Sequence, residues 1–213
     1  MNCGRVFWYV LLSSVLAACA SAPARYYTLQ PASVESVAGA QERPGTPKYA
    51  ISVQPVTLPE QVDRLQIVLT DPQSTQVTLL NGSLWASPLS DEIRNALSDE
   101  LSRKLGVLDI ANGQVPESLA LWRVGLQIQR FESIYNQRVV LDATWRLTPV
   151  NQPGEKALIC RDEVQIAVGE GVSAMVAGHQ EALHQLASVI ADKLAGTSGK
   201  SSVSGVQEKG CTF

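Results

Sequence analysis

The 213-residue sequence predicts an α+β domain, a mostly antiparallel sheet with two amphipathic helices packed on one face. Three observations predict it. Residues 122–168 hold three runs of alternating apolar and polar residues joined by short links, and short links make antiparallel neighbours. Two longer segments, after Ser87 and over 173–194, repeat apolar residues at helical spacing. The alternating runs are greasy on one side and polar or charged on the other, as expected of a sheet with one solvated face.

The N-terminus comes first in chain order. Arg5 and the amino group give a positive start, and Val6 to Ala18 is apolar apart from Ser13 and Ser14. That matches the apolar region of a signal peptide and falls short of the roughly 20 residues a spanning helix needs. It ends in Leu16-Ala17-Ala18-Cys19, a bacterial lipobox, so residues 1–18 read as a lipoprotein signal peptide and Cys19 as the acylated residue of the mature chain. Two or three acyl chains make a stable anchor where one does not. Ala20, rather than Asp, favours the outer membrane by the sorting rule of enteric-type bacteria. The alternative is an ordinary secreted protein with a spare cysteine.

Residues 19–25 form a small polar tether, and residues 26–196 a single domain. Tyr26-Tyr27-Thr28-Leu29 reads as a short strand, and Pro- and Gly-rich 31–48 as a flexible loop. Tyr49 to Val56 alternates as a strand, ended by Pro55 and Pro59. The stretch to about Thr70 and the run Gln76 to Leu80 read as two strands that pair as a hairpin or flank one, with Asn81-Gly82 as a tight turn. Ser87 is the predicted N-cap of the first helix, Pro88 its first residue and Gly106 its stop. Leu89, Ile93, Ala96, Leu97, Leu101 and Leu105 form its apolar stripe, while Asp91, Glu92, Arg94, Asp99, Glu100 and Arg103 lie off it.

The three alternating strands follow, linked at 132–137 and 151–154. The second helix carries Val176, His179, Leu183, Leu186, Ala187, Ile190 and Leu194 on one stripe. Residues 197–213 read as a disordered polar tail unless Cys211 pins it.

Composition excludes several functions. The net charge of −3 becomes −4 without Arg5, which gives no basic surface for nucleic acid. His179 and His184 do not share a helix face, so no metal is expected. No nucleophile elbow or Gly-rich phosphate loop is present, and the carboxylates read as solvated helix faces, so no catalytic residue, cofactor or enzymatic activity is expected. Trp85, Trp122 and Trp145 read as core. With Cys3 removed and Cys19 lipidated, Cys160 and Cys211 remain; an oxidising compartment permits a disulfide, and a buried plus a loose thiol is the alternative.

Asp63 and Arg64 sit between Pro59 and an apolar strand. They read either as a local salt bridge or turn cap, or, with Leu65, as a partner interface in which the Arg64 fork pairs with a carboxylate or lipid phosphate.

The sequence also resembles the PqiC/YmbA-like periplasmic lipoproteins, the ABC-type transport auxiliary lipoproteins. The matching pieces are the lipobox, Tyr26-Tyr27-Thr28-Leu29, Ile51-Ser52-Val53-Gln54-Pro55-Val56 with Leu58-Pro59, Asp63-Arg64-Leu65-Gln66-Ile67-Val68 and Trp85-Ala86-Ser87-Pro88-Leu89, in order over residues 16–105. The resemblance implies an outer-membrane, periplasm-facing accessory of an intermembrane lipid transport system that supports envelope integrity. Its partners would be a PqiB-like MCE-domain protein, that protein's inner-membrane partner and the membrane lipids around Cys19, with a homo-oligomeric ring as the docking form. A lipid-binding carrier and a structural envelope lipoprotein without a transport partner are the competing readings.

Overall fold

The structure is a computed structural model that describes residues 23–30, 49–110, 116–196 and 205–213. Cys19, the signal peptide and the 31–48 loop lie outside the described residues. The strands are β1 (Arg25–Tyr27), β2 (Tyr49–Val53), β3 (Gln66–Thr70), β4 (Val77–Trp85), β5 (Ala120–Ile134), β6 (Arg138–Val150), β7 (Leu158–Ala167) and β8 (Val206–Thr212). Helix α1 spans Leu89–Leu105 and α2 Gly171–Leu194.

The fold is α+β with largely antiparallel sheets. One sheet has the order β1-β4-β3, the other β2-β5-β6-β7-β8. The parallel pairs are β1 with β4 and β2 with β5. Helix α2 lies across β6 and β7, and α1 packs beside it and against β2. The α1 stripe read from the sequence is buried throughout, and Gly106 closes the helix at φ 68°. Trp145, Leu97, Leu101, Val139, Leu141, Leu183 and Leu186 form the centre of the core. Helix and sheet meet closely at Gly178, where a Cβ would lie 2.3 Å from Val168 Cγ1 and 3.3 Å from Val139 Cγ2. On the outer edge of β2, Ile51 exchanges backbone hydrogen bonds with Leu108 and Ile110. Asp109 is held there by Ser98 Oγ, the Val53 N–H and Arg94.

Four local expectations change. Asn81-Gly82 is not a turn but the middle of β4. Ile67 pairs with Leu80 and Gln66 with Leu84, so residues 81–83 bulge, and Ser83 to Trp85 pair instead with β1. The reversal falls at 71–76, where Asp71 Oδ1 accepts from the Gln73 N–H and Ser74 Oγ from the Gln76 N–H. Long-range pairing outweighs the turn preference of Asn-Gly.

Strand β5 runs on to Ile134, through the expected link. An irregularity between Ile128 and Arg130 reverses its alternation, so Phe131 and Ser133 are buried. Pro88, not Ser87, occupies the cap position of α1, and the Ser87 hydroxyl donates to Glu92 Oε1 at 2.7 Å.

The described end of the polar tail is a strand: Val206–Thr212 forms β8 along β7, and Cys160 and Cys211, opposite each other in register, are disulfide-bonded. Every residue of β8 after Val206 is exposed, so no hydrophobic signal marked the strand; backbone pairing and the crosslink hold it.

Candidate functional site

The small sheet and the start of α1 unite sequence pieces that lie some 60 residues apart. Strand β1 pairs Tyr27 with Trp85, and the Ala86 N–H donates to Tyr27 O. Beyond the strands, Glu92 completes the junction. Its Oε2 accepts from Thr28 Oγ1 at 2.7 Å and from the Leu29 N–H at 2.9 Å, while Oε1 takes the Ser87 hydroxyl. Glu92 is buried at 5% exposure, against its reading as part of a solvated face. A buried carboxylate needs such donors, and each charged hydrogen bond here is of the stronger kind. Gln180 of α2 adds bonds to Thr28 O and Gln30 O, so the end of β1 is fixed to both helices.

The Asp63-Arg64-Leu65 turn hangs from this junction. The N–H groups of Val62 and Asp63 both donate to Pro59 O, the Arg64 N–H donates to Val62 O, and the Trp85 N–H donates to Leu65 O at 2.7 Å. Buried Val62 pins the turn to the core. Asp63, Arg64 and Leu65 all face solvent, Leu65 at 49% exposure. Among the described residues, Asp63 and Arg64 form no salt bridge with each other or with any other side chain; the turn is capped by backbone instead. The result is a rigid loop presenting one cation, one anion and one apolar side chain.

The outer face of the five-stranded sheet carries a ladder of charge. Arg161 Nε and Nη2 grip both oxygens of buried Asp142 at 2.8 Å. Glu163 receives Gln165 Nε2 at 2.6 Å, Lys209 Nζ at 3.3 Å and Arg130 Nη1 at 3.4 Å. The Gln165 bond, aided by the two cations, holds its carboxyl below the usual range. Arg130 also pairs with Glu132. The Asp142 and Glu163 carboxylates are buried beneath cations that reach solvent, so the face is a polar surface whose charges are held in place by their partners.

Two polar pairs lie inside. Trp145 Nε1 donates to Asp162 Oδ2 at 2.6 Å, and burial raises the Asp162 carboxyl pKa against that bond. Asp162 shares the inward parity of Cys160 and Val164, the signal that could have marked it as Trp145's partner. His179 is wholly buried, stacked on Phe131 with ring centroids 3.9 Å apart, and its Nε2 lies 2.8 Å from Ser133 Oγ. Desolvation pushes its pKa down to about 3, so the ring is neutral. Its Nδ1 has no partner, and a bare lone pair is tolerated better than a bare N–H, which favours Nε2–H donating to Ser133. Ser133 is then not activated, and the gap beside it, between Val62, Trp85 and Phe131, has no room for a water. The Ser–His pair is structural chemistry. His184 instead joins the helices, its Nδ1 3.0 Å from Glu100 Oε2. No group of three or more His, Cys, Asp or Glu able to hold a metal occurs among the described residues.

An open cleft of about 420 Å³ lies at the C-terminal end of α2, with Tyr49, Trp122, Leu147, Leu158, Leu194 and Phe213 among its lining and Lys156 and Lys193 beside them. No described helix is long and apolar enough to cross a membrane.

The described residues thus make an α+β body with a backbone-capped turn, an ordered polar face and an open cleft. The chain belongs to the family of ABC-type transport auxiliary lipoprotein components, whose model matches residues 27–191. No curated protein matches it. Among solved structures it is similar to an uncharacterized protein at 21% identity and TM-score 0.62, covering 81% of this chain and 99% of that one. It is also similar to a Xanthomonas campestris protein of the DUF330 family at 14% identity and TM-score 0.52, covering 71% and 88%. These likenesses bear on the fold.

Proposed function

We propose that this protein is a non-enzymatic docking subunit of an MCE-type intermembrane lipid transport system, tethered by acylated Cys19 to the periplasmic side of the outer membrane. The observation that carries the proposal is membership of the auxiliary lipoprotein family over residues 27–191. The chain's part is positional. A lipid anchor confines the domain to a surface and raises its effective concentration for a partner there. The Asp63-Arg64-Leu65 turn, rigid in backbone and free in its side chains, is the primary contact for a PqiB-like partner, and the charged outer sheet face a secondary one. Crosslinking in cells followed by purification tests this. An MCE-domain protein should be captured, and Arg64→Glu should reduce its yield several-fold while leaving the membrane-bound amount unchanged. Capture of no such protein, or capture indifferent to Arg64→Glu, goes against the subunit role or the assigned contact respectively.

The cleft favours a second reading, a lipid carrier. Its volume lies within the roughly 300–1,000 Å³ of small-molecule sites, and its lining joins apolar side chains such as Trp122, Leu147 and Leu158 to Gln152, Glu155, Lys156 and Lys193. Stoichiometric lipid in native mass spectra of gently purified protein would favour the carrier.

A further inference from the structure

We propose that the β3–β4 hairpin rests in the headgroup layer of the membrane that holds Cys19, so that the domain stands on the bilayer in one orientation. The inference rests on the acylation of Cys19. Strand β1 begins at Arg25, six peptide steps beyond Cys19. A fully extended chain of that length spans at most about 20 Å, so the start of β1 lies within about 20 Å of the bilayer surface.

The strand directions say what fills that gap. Strand β1 is parallel to β4, with Arg25 beside Ser83. Going back along β4 from Ser83 to Val77 therefore leads towards the side from which the tether arrives. Residues 81–83 bulge, so β3 measures the distance: from Gln66, opposite Leu84, to Thr70, opposite Val77, is four steps, which extends the paired strands about 13 Å at ~3.3 Å each, and the 71–76 turn carries the tip a few ångströms further. The hairpin is nearly as long as the fully extended tether, so its tip meets the bilayer once the tether is less than fully extended.

The surface there suits a lipid layer. Val77 and Leu79 share a face of β4 at 46% and 37% exposure. Residues 71–76 at the tip carry one charge, Asp71, and otherwise only Pro, Gln, Ser and Thr, so little charge is desolvated on contact. Tyr26, 67% exposed at the tether side, is a residue type that favours the membrane interface. Two partly exposed apolar side chains would not hold a free protein on a membrane; the anchor makes the contact intramolecular, so a weak interaction suffices to orient the body. The same geometry places the Asp63-Arg64-Leu65 turn at the far end of β3, clear of the lipid.

The test uses full-length lipidated protein in phosphatidylethanolamine–phosphatidylglycerol vesicles. A polarity-sensitive fluorophore is placed by Thr75→Cys or Leu79→Cys, with Arg64→Cys for comparison, and quenched by lipids bearing a headgroup nitroxide. Quenching should be several-fold stronger at 75 and 79 than at 64, and should persist in high salt. Equal quenching at all three positions, in protein that floats with the vesicles, overturns the orientation alone. Protein that does not float overturns the anchor and the orientation with it.

Discussion

Acid should destabilise this protein through His179. The ring is neutral and wholly buried in the fold, with its pKa pushed from 6.5 down to about 3. Between those values the unfolded chain binds a proton that the folded chain refuses, so stability falls as pH is lowered from 6.5 towards 3. At 1.36 kcal/mol per unit, the full effect is about 5 kcal/mol, of which about 2 kcal/mol is lost between pH 7 and pH 5. Asp162 works in the opposite sense: burial raises its pKa, so the fold takes up its proton before the unfolded chain does, and its contribution is lost as pH rises through the folded value. The comparison must therefore isolate the imidazole. Urea denaturation at pH 7 and pH 5, with the disulfide intact, should show His179→Gln losing about 2 kcal/mol less than the parent across that interval, even if the variant starts less stable. Equal losses in both proteins would refute the desolvation argument and point to a ring that is reached by water or paired when charged.

Glu92→Ala should cost about 2–4 kcal/mol, because it strips the Leu29 N–H and the Thr28 and Ser87 hydroxyls of one shared acceptor; Glu92→Gln should cost less, and thermal melts of both would rank them. Gly178→Ala should destabilise by about 1–3 kcal/mol through the clash with Val168 and Val139, and Val168→Ala in the same chain should recover part of that loss. Cys211→Ser opens a crosslink spanning 51 residues and should lower stability by about 2–4 kcal/mol, with hydrogen exchange accelerating first in residues 206–212.

Much of this was legible in the chain because the local signals were strong. The α1 stripe from Leu89 to Leu105 and the strands around Val124, Trp145 and Val164 each repeat at their own period, the first of these strands as far as Ile128, and burial of one face follows from that repeat. The Leu29 and Trp85 pieces were visible as motifs, but not that one carboxylate joins them. Glu92 is an acidic residue in the first turn of a helix, where solvent is the ordinary neighbour, and only β1 and Ser87 folding over it make it a buried acceptor.

The sequence by itself determined the fold class, the two helices, the three long strands and the candidate acylation residue, because periodicity and a contiguous motif are properties of neighbours along the chain. Tertiary structure alone decided that Asn81-Gly82 stays in a strand, that Phe131 and Ser133 turn inward beneath His179, and that Val206 to Thr212 become a strand. It also decided that the β3–β4 hairpin extends from the side on which β1 starts. Each of these depends on which distant backbone supplies the hydrogen bonds. Where long-range pairing satisfies the backbone, a local preference worth about 1 kcal/mol is outvoted.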